Sequence, residues 1–500
     1  MQYEVLIAAC VLAGVYVLII FELMHRTIAA MLGSFVCLGF VAVIHGRPSF
    51  EVVINWIDFE TVGLLFGMMI MVGIFSETGF FEWSAIKAYK FSKGNVWHLT
   101  LILCIFTAFV SAFLDNVTTI LLMTPVTVRL CTVLDIKPQP ILLALVVMSN
   151  IGGTATAIGD PPNIIIINDP DISAHEDINF FSLSLHVGPG VVLAFVAVQI
   201  FIYFVNRDKV KREPHLARER ELEVWKETLK RIRGDDEDQR HVRDQLESFI
   251  ARLEQEVKSG RASVKVVDIS ELEQQYVIKD YPLFISSISV LTCVILLFFM
   301  HSWIEDIVEL SLAWIAVIGA MIHLLVSGIK DVEVILEKVE LGTLIFFAGL
   351  FVLMHGLDLL GLIDFIGDQI YSIIIKVPPG DSRLAVAILL IIWVSAFASA
   401  FIDNIPYTTA MVPVIVSLAE SDLGLPLAPL TWALCFGTCF GGNGTLIGAS
   451  ANVVAVGLCE QQGYPISFVR FFKIGFPCMV ISVTVATVYM LITHVLIPWY

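Results

Sequence analysis

Charge is what this sequence has least of. Asp, Glu, Lys and Arg make up 15% of its 500 residues, against roughly 25% in an ordinary soluble domain. Hydrophobic residues reach 57% and the mean hydropathy is +0.84, which excludes a soluble globular class. Basic residues are scarcer still, 30 against 47 acidic. No stripe of Lys and Arg stands clear of neighbouring acids, so a nucleic-acid partner is excluded as well. Cysteine builds no framework: the nine cysteines fall almost entirely inside apolar segments and read as small hydrophobes. Cys435 and Cys439 share a helix face but have no further ligand nearby, which favours packing over a metal. The first apolar run has no basic n-region and no small-residue cleavage site, so it reads as a span and not as a signal peptide.

What the sequence does have is length without charge. Apolar runs near 5–21, 27–45, 61–76, 185–205, 282–300, 310–327, 341–357 and 474–498 each suffice to cross ~30 Å of hydrocarbon. The fold class expected is an all-α polytopic membrane protein. The scarce charges are unevenly placed: residues 207–280 hold 17 of the 30 basic and 18 of the 47 acidic groups. That segment separates a first membrane repeat, 1–206, from a second, 281–500. Within it Leu222, Trp225, Leu229 and Ile232, then Val242, Leu246, Phe249 and Leu253, recur at helical spacing. They predict two amphipathic helices forming a hairpin on the membrane surface, with a solvated linker as the other reading.

The two membrane portions share motifs. "SAFLDNVTTILLMTPV" (111–126) and "SAFIDNIPYTTAMVPV" (399–414) agree at 8 of 16 positions with an offset of 288. "GGTATAIGDPPN" (152–163) and "GGNGTLIGASAN" (441–452) agree at 6 of 12 with an offset of 289. Internal repeats of this kind mark secondary transporters. We expect each repeat to contain about five crossings, one re-entrant hairpin and one broken helix. The hairpins span roughly 97–133 and 384–418, with the Asp-Asn pairs near their tips. An odd number of crossings inverts the second repeat relative to the first. On the linker side, loops 22–26, 79–97, 129–140, 328–340 and 459–474 contain ten Lys and Arg. The opposite loops, 46–60, 168–183, 301–309, 358–383 and 418–430, contain three. The positive-inside rule then places the linker in the cytosol and both termini outside or in a lumen. Hairpin arms that crossed fully would give parallel repeats and would scramble this charge asymmetry.

A charge at the bilayer centre costs ~2.5–3.5 kcal/mol on insertion scales, so carboxylates inside these motifs need a reason. "NIGGTATAIGDPPN" (150–163) cannot be a continuous helix, because Gly152 and Gly153 weaken it and Pro161 and Pro162 remove donors. "FGGNGTLIGASAN" (440–452) is loosened by four glycines, Gly444 among them. Broken backbone at membrane depth survives only when buried in protein or lining a wet cavity. Free carbonyls with a carboxylate suit a cation, and helix starts with free amides suit an anion. Asp115 and Asp403 can cap the second hairpin arms, ligate a cation or carry a proton. Asp160, before two prolines, is a turn former or a ligand. Asn116, Thr118, Asn150, Thr154, Thr156, Asn163, Asn404, Thr408, Asn443, Thr445, Ser450 and Asn452 supply neutral ligands. A Na⁺ ion is best placed at Asp115, Asn116, Asp403 and Asn404. No cofactor is expected beyond Na⁺ or H⁺ as a coupling ion.

These motifs, with "VEL.TLIFFAGLFVLM" near 339–354, resemble the melanosomal P-protein family, part of the ion transporter superfamily that includes arsenite pumps and sodium–proton antiporters. The resemblance covers nearly all of 1–500. It implies inverted repeats, a homodimer, elevator-like alternating access, and a melanosomal or related endolysosomal membrane with both termini lumenal. It also implies an anion (chloride) conductance that raises lumenal pH in support of melanin synthesis. Members of that family carry a long cytosolic extension before their first spans, whereas here the first run starts within five residues. Tyrosine or organic-anion transport, Na⁺/H⁺ antiport, and a channel of the same fold are the alternatives. An intramembrane aspartyl protease would need two carboxylates sharing a proton at close range but has no use for a second Asp-Asn hairpin.

Overall fold

A computed structural model describes residues 2–20, 23–134, 136–175, 177–207, 277–304, 310–329 and 331–499, with isolated positions between 222 and 255. The first half runs α1 (Gln2–Ile20), α2 (Arg26–Ile44), α3 (Phe50–Asn55), α4 (Phe59–Glu77), α5 (Phe80–Phe91), α6 (Val96–Ser111), α7 (Asn116–Val133), α8 (Pro138–Gly153), α9 (Pro161–Asn168), α10 (Pro170–Ser173) and α11 (Phe180–Asn206). The second runs α12 (Tyr281–Ile304), α13 (Leu312–Ser327), α14 (Val332–Leu336), α15 (Leu341–Leu359), α16 (Leu362–Ile374), α17 (Asp381–Phe401), α18 (Asn404–Glu420), α19 (Leu427–Gly441), α20 (Ser450–Gln461) and α21 (Phe468–Met490), ending in a π-helical turn, Leu491–Leu496. Among the described residues every regular element is a helix, and eight are long and apolar enough to cross a membrane. This is a multi-pass membrane protein. One expected span is shorter than its apolar run: α13 stops at 16 residues, about 24 Å at ~1.5 Å per residue. Ser311 caps its start, and Gly328, at φ 67°, ends it in the left-handed region.

The duplication seen in the motifs extends to the packing. Helix α2 lies along α15, and α13 lies along α4, so each half lends one helix to a pair with the other. The contacts within these pairs correspond. A Cβ on Gly67 of α4 would meet Ala316 backbone at 2.6 Å; one on Gly349 of α15 would sit 3.3 Å from the Met31 nitrogen, beside Ala30. Small residues let backbones approach closely in the absence of a hydrophobic driving force between helices. Further out, Gly33 of α2 abuts Val15 of α1 as Gly319 of α13 abuts Val294 of α12.

Two surface helices also correspond. Gly79 and Gly361, with φ 76° and 75°, precede α5 and α16. The helices differ in charge: α5 carries Glu82, Lys87 and Lys90, whereas α16 carries Asp364 and Asp368 and no basic residue. In the linker, Leu222, Trp225, Leu229, Leu246 and Phe249 are helical, while Ile232, Val242 and Leu253 lie outside the described residues. The Trp225 ring meets Phe249 edge-on at 5.7 Å, and Lys226 pairs with Glu254 at 2.5 Å. These contacts join the two amphipathic stretches as a hairpin would.

Candidate functional site

The site begins at four helix starts. Both Asp-Asn pairs interrupt a helical run, and in both the Asp caps the arm that follows. The Asp115 Oδ1 accepts from the Thr118 amide at 2.9 Å and its Oδ2 from the Thr118 hydroxyl at 2.5 Å. The Asp403 Oδ1 accepts from the Ile405 amide at 3.1 Å and its Oδ2 from the Ser450 hydroxyl at 2.8 Å. The other two starts follow the glycine-rich breaks. Pro161 and Pro162 occupy the first positions of α9, where a missing N–H does no harm. Ala449 offers α20 no capping side chain.

The breaks free carbonyls that lipid could not satisfy, and the chain satisfies them internally in the same way twice. Ser111 Oγ donates to the Ser149 carbonyl at 2.8 Å, and Ser399 Oγ to the Thr438 carbonyl at 2.7 Å. Thr156 Oγ1 donates to the Ala112 carbonyl as Thr445 Oγ1 does to that of Ala400. Asn163 Nδ2 reaches back to the carbonyls of Gly153, Thr154 and Thr156, and Asn452 Nδ2 to those of Gly442 and Thr445. Gly152 and Gly441 fit where no side chain can: a Cβ on Gly152 would lie 2.2 Å from the Ala108 oxygen, and one on Gly441 2.7 Å from the Ala396 oxygen. Each broken helix is thereby fastened to the hairpin of its own half.

Across the halves, α7 packs on α20 and α18 on α9. Polar contacts follow that exchange. Asn116 Nδ2 donates to Asn150 Oδ1 at 3.2 Å, and Asn150 Nδ2 donates to Asn443 Oδ1 at 3.0 Å and Asn452 Oδ1 at 2.9 Å. Asn404 Nδ2 donates to both Asp160 oxygens, at 3.2 and 3.3 Å. Cys439 Sγ donates to Asn163 Oδ1 at 3.4 Å. Asn116, Asn150, Asp160, Asn163, Asn404, Asn443 and Asn452 are all buried. Buried polar groups are expected to be paired, yet the Asn443 Nδ2 has no partner. The centre therefore holds a ladder of asparagines, with Asp160 bonded to Asn404 and with Asp115 and Asp403 next in the chain to Asn116 and Asn404.

Not every residue expected at the site faces it as a ligand. Gly152 and Gly153 pack against backbone, and Gly444 against Ala400 and Met479. The hydroxyls of Thr154 and Thr408 donate to Asn150 and Asn404 carbonyls within their own segments. Two participants lay outside the expected set. Cys439 occupies the position that Asn150 holds in the first copy, and the 289-residue offset points to it. Arg26, at the start of α2, donates to the Ser450 hydroxyl that holds Asp403. Its sequence signal was only that of a single basic residue in a short loop.

The family model described as CitMHS, citrate transporter, matches residues 16–437. The P protein of Homo sapiens is 46% identical over 517 residues, covering 100% of this chain and 61% of that protein; the Sus scrofa P protein is likewise 46% identical, with 60% covered. The chain thus spans about three fifths of the length of these relatives. An uncharacterized transporter of Mycobacterium tuberculosis is 32% identical, with 97% of each chain covered. In fold, the chain is similar to the YdaH transporter of Alcanivorax borkumensis, whose crystal structure is described as having an unusual topology, at a TM-score of 0.54 and 13% identity, over 95% of this chain and 99% of that one.

Proposed function

The chain belongs to the CitMHS citrate-transporter family, and from that premise we propose that it moves a small anionic solute across the bilayer by alternating access, with a monovalent cation bound alongside. One observation carries this reading: the hairpin arm of each half meets the broken helix of the other, bringing four helix starts, the buried Asp160 and Asp403 and the half-buried Asp115 to one polar centre. Helix starts favour an anion. The carboxylates Asp115, Asp160 and Asp403 favour a cation, because desolvated charges need a counter-charge. A solute that brings both satisfies both. Chloride fits the resemblance noted in the sequence, and a small carboxylate fits the family's name. Na⁺ or H⁺ is the cation.

The repeats are inverted in this proposal. The basic α5 and the acidic α16, equivalent in the duplication, suit opposite faces of a membrane, with α5 and the linker cytosolic and both termini lumenal. An elevator-like movement, a homodimer and a melanosomal or related organelle complete the proposal, as does a role in lumenal pH. The test is flux in proteoliposomes with Na⁺, H⁺, Cl⁻, citrate and tyrosine varied one at a time. Uphill movement of one solute driven by the gradient of another is expected. Passive flux of chloride that no other gradient ever drives would replace the transporter with a channel.

A further inference from the structure

We propose that Arg26 is the fixed counter-charge of Asp403, so that the two halves of the site are electrically unequal and one cation binds per cycle, on the side of Asp115 and Asp160. The inference rests on the transport reading above and adds to it a positioning residue and a stoichiometry.

Helix α2 belongs to neither hairpin and neither broken helix, and it lies along α15. Its first residue nevertheless reaches the centre. The Arg26 guanidinium donates through Nη1 to Ser450 Oγ, and Ser450 Oγ donates to Asp403 Oδ2 at 2.8 Å. Through Nη2 it donates to Thr343 Oγ1 at 3.0 Å, and Thr343 Oγ1 donates to Glu340 Oε2 at 2.8 Å. Glu340 Oε2 itself lies 4.0 Å from Nη2. One guanidinium is thus shared by two carboxylates, each approached through a hydroxyl. Its rigid fork of donors suits such a double contact.

The other copy has most of these parts but not the cation. Thr61 and Asp58 match Thr343 and Glu340 at an offset of 282, and Thr61 Oγ1 again donates to its neighbouring carboxylate. There the partner from outside is the neutral amide of Asn168, at 3.4 Å from Thr61 Oγ1. Counting along α13 from Gly319, the mate of Gly33, the counterpart of Arg26 is Leu312. The counterpart of Ser450 is Pro161, which has no hydroxyl. Asp115 is left with a threonine's amide and hydroxyl, and Asp160, whose counterpart in the duplication is Ala449, with the Asn404 amide and the Cys439 thiol. Amides and hydroxyls orient a carboxylate without cancelling its charge. The carboxylates left for a mobile cation are those two.

The experiment is a double-mutant cycle on the full chain. Arg26→Gln, Asp403→Asn and the two together are compared in proteoliposomes loaded with chloride or citrate, with Na⁺ or pH varied on one side. Arg26→Gln leaves Asp403 without its counter-charge, Asp403→Asn leaves Arg26 with Glu340 alone, and each is expected to cut initial flux at least tenfold. The pair together is expected to recover at least tenfold over the weaker single. Arg26→Lys, which keeps the charge, is expected to keep at least a third of wild-type Vmax with a raised KM. Arg26→Gln is expected not to rescue Asp115→Asn. The driving cation is expected to act with a Hill coefficient near 1. A double mutant no better than its weaker single, or a wild-type Hill coefficient near 2, would overturn the proposal. Melting temperatures of the same proteins give a readout independent of transport. If the wild type moves no solute, the transport reading fails; the pairing still stands if the double mutant melts above either single and falls if the effects add.

Discussion

Gly152→Ala is a severe test of the site's geometry because it adds one methyl group. The new Cβ would lie 2.2 Å from the Ala108 oxygen, 2.5 Å from its Cα and 2.7 Å from its carbonyl carbon. These are backbone atoms of α6 and cannot rotate aside. Overpacking costs typically about 1–3 kcal/mol, and an unyielding neighbour puts this case near ~3 kcal/mol. Alanine returns about 1 kcal/mol of helix propensity, since Gly152 sits in the last turn of α8. The net loss is about 2 kcal/mol, roughly thirtyfold in the folding equilibrium. Gly188→Ala is the matched control: it lies inside α11 with nothing within 4 Å of its Cβ, and it should gain up to about 1 kcal/mol. Reversible unfolding in mixed detergent micelles, with SDS as denaturant, measures both. Gly441→Ala, against Ala396, should behave as Gly152→Ala does. If Gly152→Ala and Gly188→Ala unfold at the same SDS fraction, the hairpin and broken helix are not in the contact described.

Four further outcomes follow from the same contacts. Asp115→Ala and Asp403→Ala should each abolish flux, with a stability loss of about 1 kcal/mol from the missing cap, read by transport and by melting. Asp115→Asn should keep the cap and still lose flux; flux near the wild-type rate would make Asp115 a cap alone. Asn150→Ala strips partners from Asn116, Asn443 and Asn452 at once, and should cost about 2–4 kcal/mol, more than one ordinary hydrogen bond. Cys439→Ser should be tolerated within about 1 kcal/mol, since a hydroxyl can donate to Asn163 as the thiol does, whereas Cys439→Val should cost more on the same unfolding assay.

The membrane class and both repeated motifs were legible because each rests on composition or local pattern. Apolar length marks a span, and Pro161 and Pro162 mark a break wherever they fall. The pairing of Asp115 and Asp403 with the following arms was legible too, since a cap is a local event. What was not legible depends on contacts between distant segments. Nothing near Asn150 tells that its amide meets Asn443 and Asn452 roughly 300 residues on. Arg26 was counted for orientation only, because reaching Ser450 requires α2 to lie along α15 with its start beside α20. Thr156 and Thr445 have contacts that the sequence did not tell. Their hydroxyls were read as candidate ligands, and they fasten the breaks to the hairpin tips.

The contrast between α5 and α16 has a consequence for how the two copies diverged. Gly79 and Gly361 preserve one shape, while α5 carries Lys87 and Lys90 and α16 carries Asp364 and Asp368. Buried contacts are indifferent to which way a segment was threaded during synthesis; lysines in a loop or at a helix end are not. In the inverted arrangement proposed above, the interior keeps what the two halves share, and the outer helices mark the membrane face that each one meets.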